Sequence, residues 1–247
     1  MRPREARLKP KVSAFTSAKI DRILDLKPDL ILGFSNMQAD IARQLILAGQ
    51  NVLVFNQRSI GEILDMILTL ARLVDAARRG SELVASLQRQ LDQIAHHAAT
   101  FPHHPRVYFE EWMDPLISGI RWVDELIEIA GGQTIFPELR KEHDARQRIV
   151  NPADVAARDP EVILASWCGR KVNKQSIRER EGWERTRAVQ QGYVYEVKST
   201  YILQPGPAAL TEGIRQIHLI LSIITGCPPD PSLAPSEAMD ADLVRLG

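Results

Sequence analysis

Ile23–Phe34 reads ILDLKPDLILGF and Val155–Trp167 reads VAARDPEVILASW, so one pattern of residues occurs twice in this chain. In each copy the end of a helix is followed by a proline, an acidic residue, a short Leu/Ile/Val run, a small residue and an aromatic residue. A proline ends a helix and favours extended geometry at the residue before it. The apolar run predicts a strand buried on both faces, as in a parallel sheet.

The residues at the predicted strand ends indicate a ligand-binding function. Ligands of open α/β sheets bind beyond the carboxyl ends of the strands, which is where Phe34 and Trp167 stand. The pattern therefore predicts two halves whose strand ends wall a cleft. Further strands are predicted at Val52 to Asn56, Arg106 to Glu110 and Tyr193 to Val197, which gives two strands in the first half and three in the second.

A long helix separates the two copies of the pattern. Gly80 and Pro102 bound a stretch that has neither glycine nor proline. Apolar residues recur in it every three to four positions, which predicts an amphipathic helix; they are Leu83, Leu87, Leu91, Ile94 and Ala98. Ser81 is the expected N-cap. A helix of about 20 residues is about 30 Å long, so we expect it to bridge two lobes.

The composition is that of a globular protein and excludes some partners. The chain has 247 residues, 45% apolar and 25% charged, which suits two modest domains or one large one. Its 31 basic residues balance 31 acidic ones, so the basic excess typical of nucleic-acid binding is missing. The longest apolar run, Ile217–Ile224, is well short of the about 18 residues of a membrane span, and we expect no direct membrane insertion.

Several segments together resemble the substrate-binding proteins of cobalamin and iron-siderophore ABC importers, and most of all the cobalamin-binding branch. These segments are Pro10–Leu24, Leu26–Leu32, Leu45–Val54, Arg58–Ile60 and Ala130–Gly132. The resemblance extends to about Gly226. It implies an α/β fold of two Rossmann-like lobes joined by one long rigid helix, with the ligand held between the lobes and little hinge motion.

The resemblance also implies a division of the chain. We expect an incomplete N-terminal lobe at 1–78, a bridging helix at 79–101, a C-terminal lobe at 102–226 and a C-terminal tail at 227–247. Members of the family begin with a further strand and helix, so the first lobe is expected to be N-terminally truncated. We expect the chain to begin inside a longer gene product, and the short lobe to be less stable than usual or to rely on self-association.

Six aromatic residues follow predicted strands or lie at their carboxyl ends, where flat rings suit the face of a corrin. They are Phe15, Phe34, Trp112, Trp122, Trp167 and Tyr201. The resemblance implies that Phe15 and Phe34 stand where tryptophans contact the corrin in the cobalamin-binding branch. Arg121 offers donors to a propionamide or phosphate of the ligand, and Gln204 lies in the loop before the last helix. The alternatives are burial in the core for each aromatic residue and a solvated position for Arg121.

Two acidic residues are candidates for docking on the importer's permease. The resemblance implies one exposed acid on each lobe facing arginines of the permease. Asp40, at the start of the predicted helix Ala39 to Ala48, stands near that position in the first lobe. In the second lobe Leu203 or Gln204 occupies the matching place, and Glu212 is the candidate substitute. An acid at a helix N-terminus is also a good cap, which explains Asp40 without a partner.

Catalytic and metal-binding interpretations find little support in the sequence. Glu110 and Glu111 are adjacent on a predicted strand, so their side chains point to opposite faces and do not pair. Cys168 follows a buried strand and has no histidine base placed beside it, which favours an inert, buried thiol. His96 and His97 are adjacent, whereas two metal ligands on a helix need a spacing of three or four. We expect no catalytic residue and no metal site.

The function expected from the sequence is non-covalent capture of a corrinoid, cobalamin above all, for delivery to an ABC importer, with no resident cofactor. A ferric siderophore or haem is the alternative ligand. An anionic siderophore calls for several cations, and only Arg58, Arg121, Arg170 and Lys171 are near the predicted cleft. The competing class is a metal-chelatase-type enzyme, which would need convergent titratable groups. The resemblance implies a periplasmic location, although the first residues lack the apolar stretch of a secretory signal.

Overall fold

A computed structural model describes residues 8–236 of the chain. The chain divides into two compact units, Met1–Gln57 and Arg58–Gly247. Between residues 8 and 57 the first unit has the helices and strands α1 (Ile20–Asp25), β1 (Ile31–Phe34), α2 (Ala39–Leu47) and β2 (Val52–Phe55), in that order. The two strands are parallel, with Ile31 beside Val52 and Phe34 beside Phe55. Both predicted strands of the first half are confirmed.

The second unit contains the remaining elements. These are α3 (Ile60–Leu73), α4 (Ala77–Ala98), β3 (Arg106–Met113), β4 (Leu116–Ser118), α5 (Arg121–Ile129), β5 (Gln133–Thr134), α6 (Pro152–Ala157), β6 (Val162–Ala165), α7 (Lys174–Arg178), α8 (Arg187–Gln190), β7 (Val194–Glu196), α9 (Ser199–Ile202) and α10 (Ile214–Thr225). The helix α3, which the sequence places in the N-terminal lobe, belongs to this unit.

The sheet of the second unit is mainly parallel. Its strand order is β4-β3-β6-β7, and β5 also pairs with β3. The pairs β3/β5, β3/β6 and β6/β7 are parallel, whereas β4 is antiparallel to β3. All four residues of β6 are buried, as the doubly apolar run predicts. The α/β fold class expected from the sequence is confirmed.

The two copies of the sequence pattern have the same backbone course. In each, the helix ends three residues before the proline, α1 at Asp25 and α6 at Ala157. The residue before the proline is left-handed in both, with φ of 47° at Lys27 and 43° at Asp159. Our expectation of extended geometry at these residues was wrong. Each takes the left-handed position that commonly follows a helix end, and at both sites this outweighs the preference for extended geometry before a proline.

The long helix α4 begins earlier than expected. Its first residue is Ala77, so Ser81 lies inside the helix and is not its N-cap. Gly80 does not end the helix, because it lies against α3: a Cβ at this position would be 2.3 Å from the Cβ of Ala71. The predicted stripe is buried from Leu87 onward, whereas Leu83 is exposed.

Two predicted loops contain regular structure. The segment after Glu110 continues β3 to Met113 and returns as β4, with a register irregularity between Glu110 and Trp112. The segment before the last helix contains α9. The last helix itself begins with a π-helical turn, Ala209–Gly213, in which Gly213 approaches the backbone of Tyr201 so closely that a Cβ would be 2.7 Å from its carbonyl oxygen.

Candidate functional site

The first unit carries an aromatic pair at the carboxyl end of β1. Phe34 is the last residue of that strand, and its ring centroid is 6.1 Å from that of Phe15. Phe15 lies in a turn closed by two backbone hydrogen bonds, from Ala14 to Ser17 and from Lys19 to Val12, both of 2.8 Å. Its side chain is 43% exposed. The sequence predicted both residues as ligand contacts, and the structure brings them together.

Polar groups after β1 fix the backbone around this pair. Ser35 is buried and left-handed at φ 78°, and its hydroxyl accepts a hydrogen bond from Met37 N, which starts the 3-10 turn Asn36–Gln38. Asn36 N donates to the side-chain oxygen of Asn56 at 3.2 Å. The amide of Gln38 bonds to the backbones of both Phe15 and Phe34. The sequence analysis missed these polar residues.

The second unit carries Trp112 near the carboxyl end of β3. The guanidinium of Arg170 lies 5.6 Å from the Trp112 ring centroid, within the range of a cation–π contact. The indole nitrogen of Trp112 donates to Asp114 O at 3.0 Å. Arg170 and the neighbouring Lys171 are exposed. This surface therefore combines a half-buried indole with an exposed guanidinium.

Trp167 lies beside this surface but is buried, with 3% of its area exposed. Its indole nitrogen donates to Glu110 Oε1 at 3.0 Å, and Arg180 bonds both oxygens of the same carboxylate. Burial raises the pKa of Glu110, while Arg180 and the Trp167 hydrogen bond act against that rise. The sequence analysis missed Arg180, although a glutamate inside an apolar strand signals a cationic partner.

The neighbouring glutamate, Glu111, pairs with a different arginine. Glu111 accepts from Arg148 Nη1 at 2.6 Å, and the same guanidinium bonds the Ser118 carbonyl. The expectation that Glu110 and Glu111 point apart is confirmed. Arg148 is almost fully buried. Burial first, and then the charge of Arg148, lower the pKa of Arg58.

Two predicted ligand contacts are core residues in this structure. Trp122 is 2% exposed and its indole nitrogen donates to Ile202 O at 2.9 Å; Tyr201 is 4% exposed. Neither lies in a loop, because Trp122 is in α5 and Tyr201 is in α9. Core packing accounts for both rings, which was the alternative for every aromatic residue. Their part in ligand binding stays a prediction.

The two predicted polar contacts differ in their surroundings. Arg121 is paired and also solvated: its Nε lies 2.7 Å from Glu125 Oε1, in an i,i+4 ion pair, while 44% of its side chain is exposed. Glu125 also accepts from Ile60 N, at the start of α3. Gln204 is exposed, just after α9. Ligand contact remains a prediction for both residues.

The docking candidates differ in exposure. Asp40 is exposed in the first turn of α2, as docking requires. Glu212 is 8% exposed and accepts from Gln216 Nε2 and from the backbone nitrogen and hydroxyl of Ser236. These bonds turn its carboxylate into the protein, so Glu212 does not present the exposed acid that was expected. Its π-helical turn, which the sequence analysis missed, places it there.

Cys168 and His97 have surroundings that the sequence analysis did not predict. Cys168 is exposed and not buried, because it lies beyond the end of β6. His97 is paired: its Nδ1 lies 2.8 Å from His218 Nε2, and His218 Nδ1 lies 3.0 Å from Ala130 O. Within residues 8–236 no three His, Cys, Asp or Glu side chains are grouped so as to hold a metal ion.

Fold and site define a class of α/β binding proteins, and the comparisons give the family. A periplasmic binding protein family model matches residues 2–201. The chain belongs to this family. The similar solved structures include an ABC transporter substrate-binding protein from Listeria monocytogenes EGD-e, and membership of this family makes the chain a binding protein and not an enzyme. In the part of the chain that the structure describes, no helix is long and apolar enough to cross a membrane.

Three similar proteins illustrate the relationship. A vitamin B12-binding protein from Vibrio parahaemolyticus serotype O3:K6 (strain RIMD 2210633) is 22% identical over 215 residues, which cover 84% of this chain and 74% of that protein. The periplasmic vitamin B12-binding protein BtuF of Vibrio cholerae has a TM-score of 0.67 at 22% identity, covering 90% and 85% of the two chains. The periplasmic heme-binding protein RhuT from Roseiflexus sp. RS-1, in its apo form, has a TM-score of 0.77 at 19% identity, covering 90% and 86%.

Proposed function

We propose that this protein captures a corrinoid, cobalamin or a close relative of it, and delivers it to the permease of an ABC importer. The observation that carries the proposal is the aromatic surface at the carboxyl end of the parallel strands in each unit. Phe15 and Phe34 form it in the first unit and Trp112 in the second. Flat, mostly apolar rings suit the face of a corrin.

The polar groups beside these rings fit the rim of the same ligand. Arg170 lies over Trp112 and is exposed, so its guanidinium has donors for the carbonyl oxygens of amide side chains. A relative that covers 84% of the chain is a vitamin B12-binding protein, which supports the corrinoid. We further propose a periplasmic location, permease docking that involves Asp40, and binding without a resident cofactor.

Haem is a second candidate ligand, favoured by a specific observation. Arg170 places an exposed cation next to the indole of Trp112, and the exposed Lys171 follows it in the chain. Haem carries propionate carboxylates, which pair with such groups more strongly than neutral amides do. A heme-binding protein shares the fold with this chain at a TM-score of 0.77. The two ligands therefore differ in what they require of Arg170. Haem propionates need its positive charge, whereas the neutral amides of a corrinoid do not.

A titration separates the candidates. The purified chain is titrated with cyanocobalamin, dicyanocobinamide, haemin and a ferric siderophore while tryptophan fluorescence is followed. We expect saturable corrinoid binding with a Kd of about 1 μM or lower, or about 8 kcal/mol. The Arg170→Ala variant then loses little affinity for cobinamide. Tighter binding of haemin, with a large loss in Arg170→Ala and none in Arg185→Ala, would replace the corrinoid by haem. No response to any of the four would remove the proposed function.

A further inference from the structure

The side chain of Gln38 joins the two aromatic residues of the first unit. Its Nε2 donates to Phe15 O at 2.8 Å and its Oε1 accepts from Phe34 N at 2.8 Å. One partner is a carbonyl and the other is an N–H, so the site requires one donor and one acceptor at the end of one side chain. A primary amide supplies both, whereas a carboxylate, a hydrocarbon or an ammonium group does not.

The local sequence is arranged to admit this amide. Ser35 turns the chain after β1 and Gln38 ends the 3-10 turn that follows, with its backbone nitrogen 3.0 Å from Ser35 O. Gly33 leaves the space: a Cβ there would lie 3.2 Å from Gln38 Oε1. A side chain at position 33 would crowd the amide. The small residue of the repeated pattern therefore has a steric role in this copy.

The turn that carries Phe15 is an exposed segment that contacts β1 and the turn after it through two groups. Residues 13–17 are all exposed, and the backbone hydrogen bonds of the turn are internal to it. Among described contacts, those linking Phe15 to β1 and the turn after it are the Gln38 hydrogen bond and the ring contact with Phe34. A half-exposed ring on such a turn has a defined position only if the backbone beneath it is held.

We propose that Gln38 is a positioning residue that fixes Phe15 in the ligand-binding surface, and so sets affinity without touching the ligand. The inference rests on the proposed function and extends it to a residue outside the aromatic set. Preorganisation of this kind lowers the ordering cost of binding. The substitution Gln38→Glu isolates it, because the variant keeps the acceptor for Phe34 N but turns a carboxylate oxygen toward Phe15 O.

A double-mutant cycle tests the inference. We expect Phe15→Ala to weaken binding of dicyanocobinamide about tenfold, within the usual range for a contact residue. Gln38→Glu should weaken it several-fold in the parent chain and less than about twofold in the Phe15→Ala background, because it acts through Phe15. Gln50→Glu is the matched control: it adds the same charge in the same unit, where Gln50 bonds only weakly, at 3.4 Å, to Ala48 O.

Amide hydrogen exchange gives a readout that needs no ligand. Gln38→Glu should speed exchange in residues 13–19 and leave Ile31–Phe34 as protected as in the parent. Unchanged exchange in residues 13–19, or an equal loss of affinity in both backgrounds, would overturn the inference while the proposed function stands. If the parent chain binds none of the four ligands, the proposed function fails and the inference fails with it.

Discussion

Both units have aromatic side chains at the carboxyl ends of their parallel strands, but different interactions fix these side chains in each unit. In the first unit a neutral amide, Gln38, ties a half-exposed Phe15 to the strand end. In the second, buried Trp167 bonds Glu110, which Arg180 neutralises. A neutral hydrogen bond contributes about 1 kcal/mol, whereas breaking a buried ion pair costs about 3 to 5 kcal/mol. The first surface can therefore be altered without unfolding, whereas the buried group beside the second surface is part of what keeps its unit folded.

The largest expected effect is at the buried ion pair. Glu110→Ala should lower the free energy of unfolding by about 3 to 5 kcal/mol, because it leaves the Arg180 charge without its carboxylate and the Trp167 indole without its acceptor. Urea unfolding measures it. Glu184→Ala, which removes an exposed ion pair with Arg185, is the control and should change stability by less than about 1 kcal/mol. A loss below 1 kcal/mol in Glu110→Ala would contradict the contrast between the units.

A second effect of similar size, on stability, shows whether Trp167 is a core residue or a ligand contact. Trp167→Ala should destabilise the chain by about 3 to 5 kcal/mol, since a large buried side chain is lost and a cavity remains. The affinity of the folded fraction for cobinamide, measured in the same preparation, should change little. If the variant is as stable as the parent and binds more weakly, Trp167 is a ligand contact and the sequence expectation holds.

The next effect is on binding and lies in the first unit. Phe15→Ala should weaken corrinoid binding by about 1 to 3 kcal/mol, as aromatic anchors commonly do, and change the free energy of unfolding by less than about 1 kcal/mol, because the ring is half-exposed. Fluorescence titration and urea unfolding give the two values. Leu26→Ala, an exposed apolar residue ahead of β1, is the control and should bind as the parent does. Equal losses in both variants would refute a specific role for Phe15.

The smallest expected effect is a pH dependence confined to the second unit. His218 Nδ1 donates to Ala130 O, so Nε2 accepts from His97. Burial first, and then the charge of His97, lower the pKa of His218 from its ordinary 6.5, against the opposing effects of Ala130 O and Asp230. Below that value the unfolded chain binds more protons than the folded one. Stability that is present above it is therefore lost as the pH falls from it through the lowered pKa of the folded state.

The variant His218→Gln checks that sign. Glutamine keeps a donor and an acceptor but does not titrate in this range, so the stability advantage of the parent over the variant should shrink as the pH falls from about 7 to about 5. Chemical denaturation at three pH values measures it. A constant difference across the range would show that His218 does not titrate as described.

The repeated pattern was enough to predict the strands because its signal is local: a proline at a fixed distance from a helix end and a run of apolar residues. The start of α4 could not be predicted in this way. Gly80 reads as a boundary in the sequence, and only the close approach of Ala71 on α3 explains why it lies inside the helix. The hairpin of β3 and β4 was likewise missed, because its pairing joins residues whose own sequence reads as loop.

In the candidate site, too, features with a local sequence signal were predictable and features that depend on distant contacts were not. The positions of Phe15 and Phe34 at a strand end were predictable because the pattern and the resemblance both mark strand ends. The burial of Trp122 and Tyr201 was not, because helices in place of the expected loops carry them into the core. The sequence around Gln38 and Arg180 does not indicate their roles, because these depend on distant partners. Gln38 bonds Phe15, which is 23 positions away, and Arg180 bonds Glu110, which is 70 positions away.

The central claim is that corrinoid binding involves the strand-end residues of the first unit and those of the second, and amide hydrogen exchange with and without saturating dicyanocobinamide tests it most directly. The account predicts slower exchange with ligand in residues 12–19 and 34–38 of the first unit and in residues 166–173 of the second, with no change in residues 183–192. Protection in only one of the two units, or none at saturation, would contradict it.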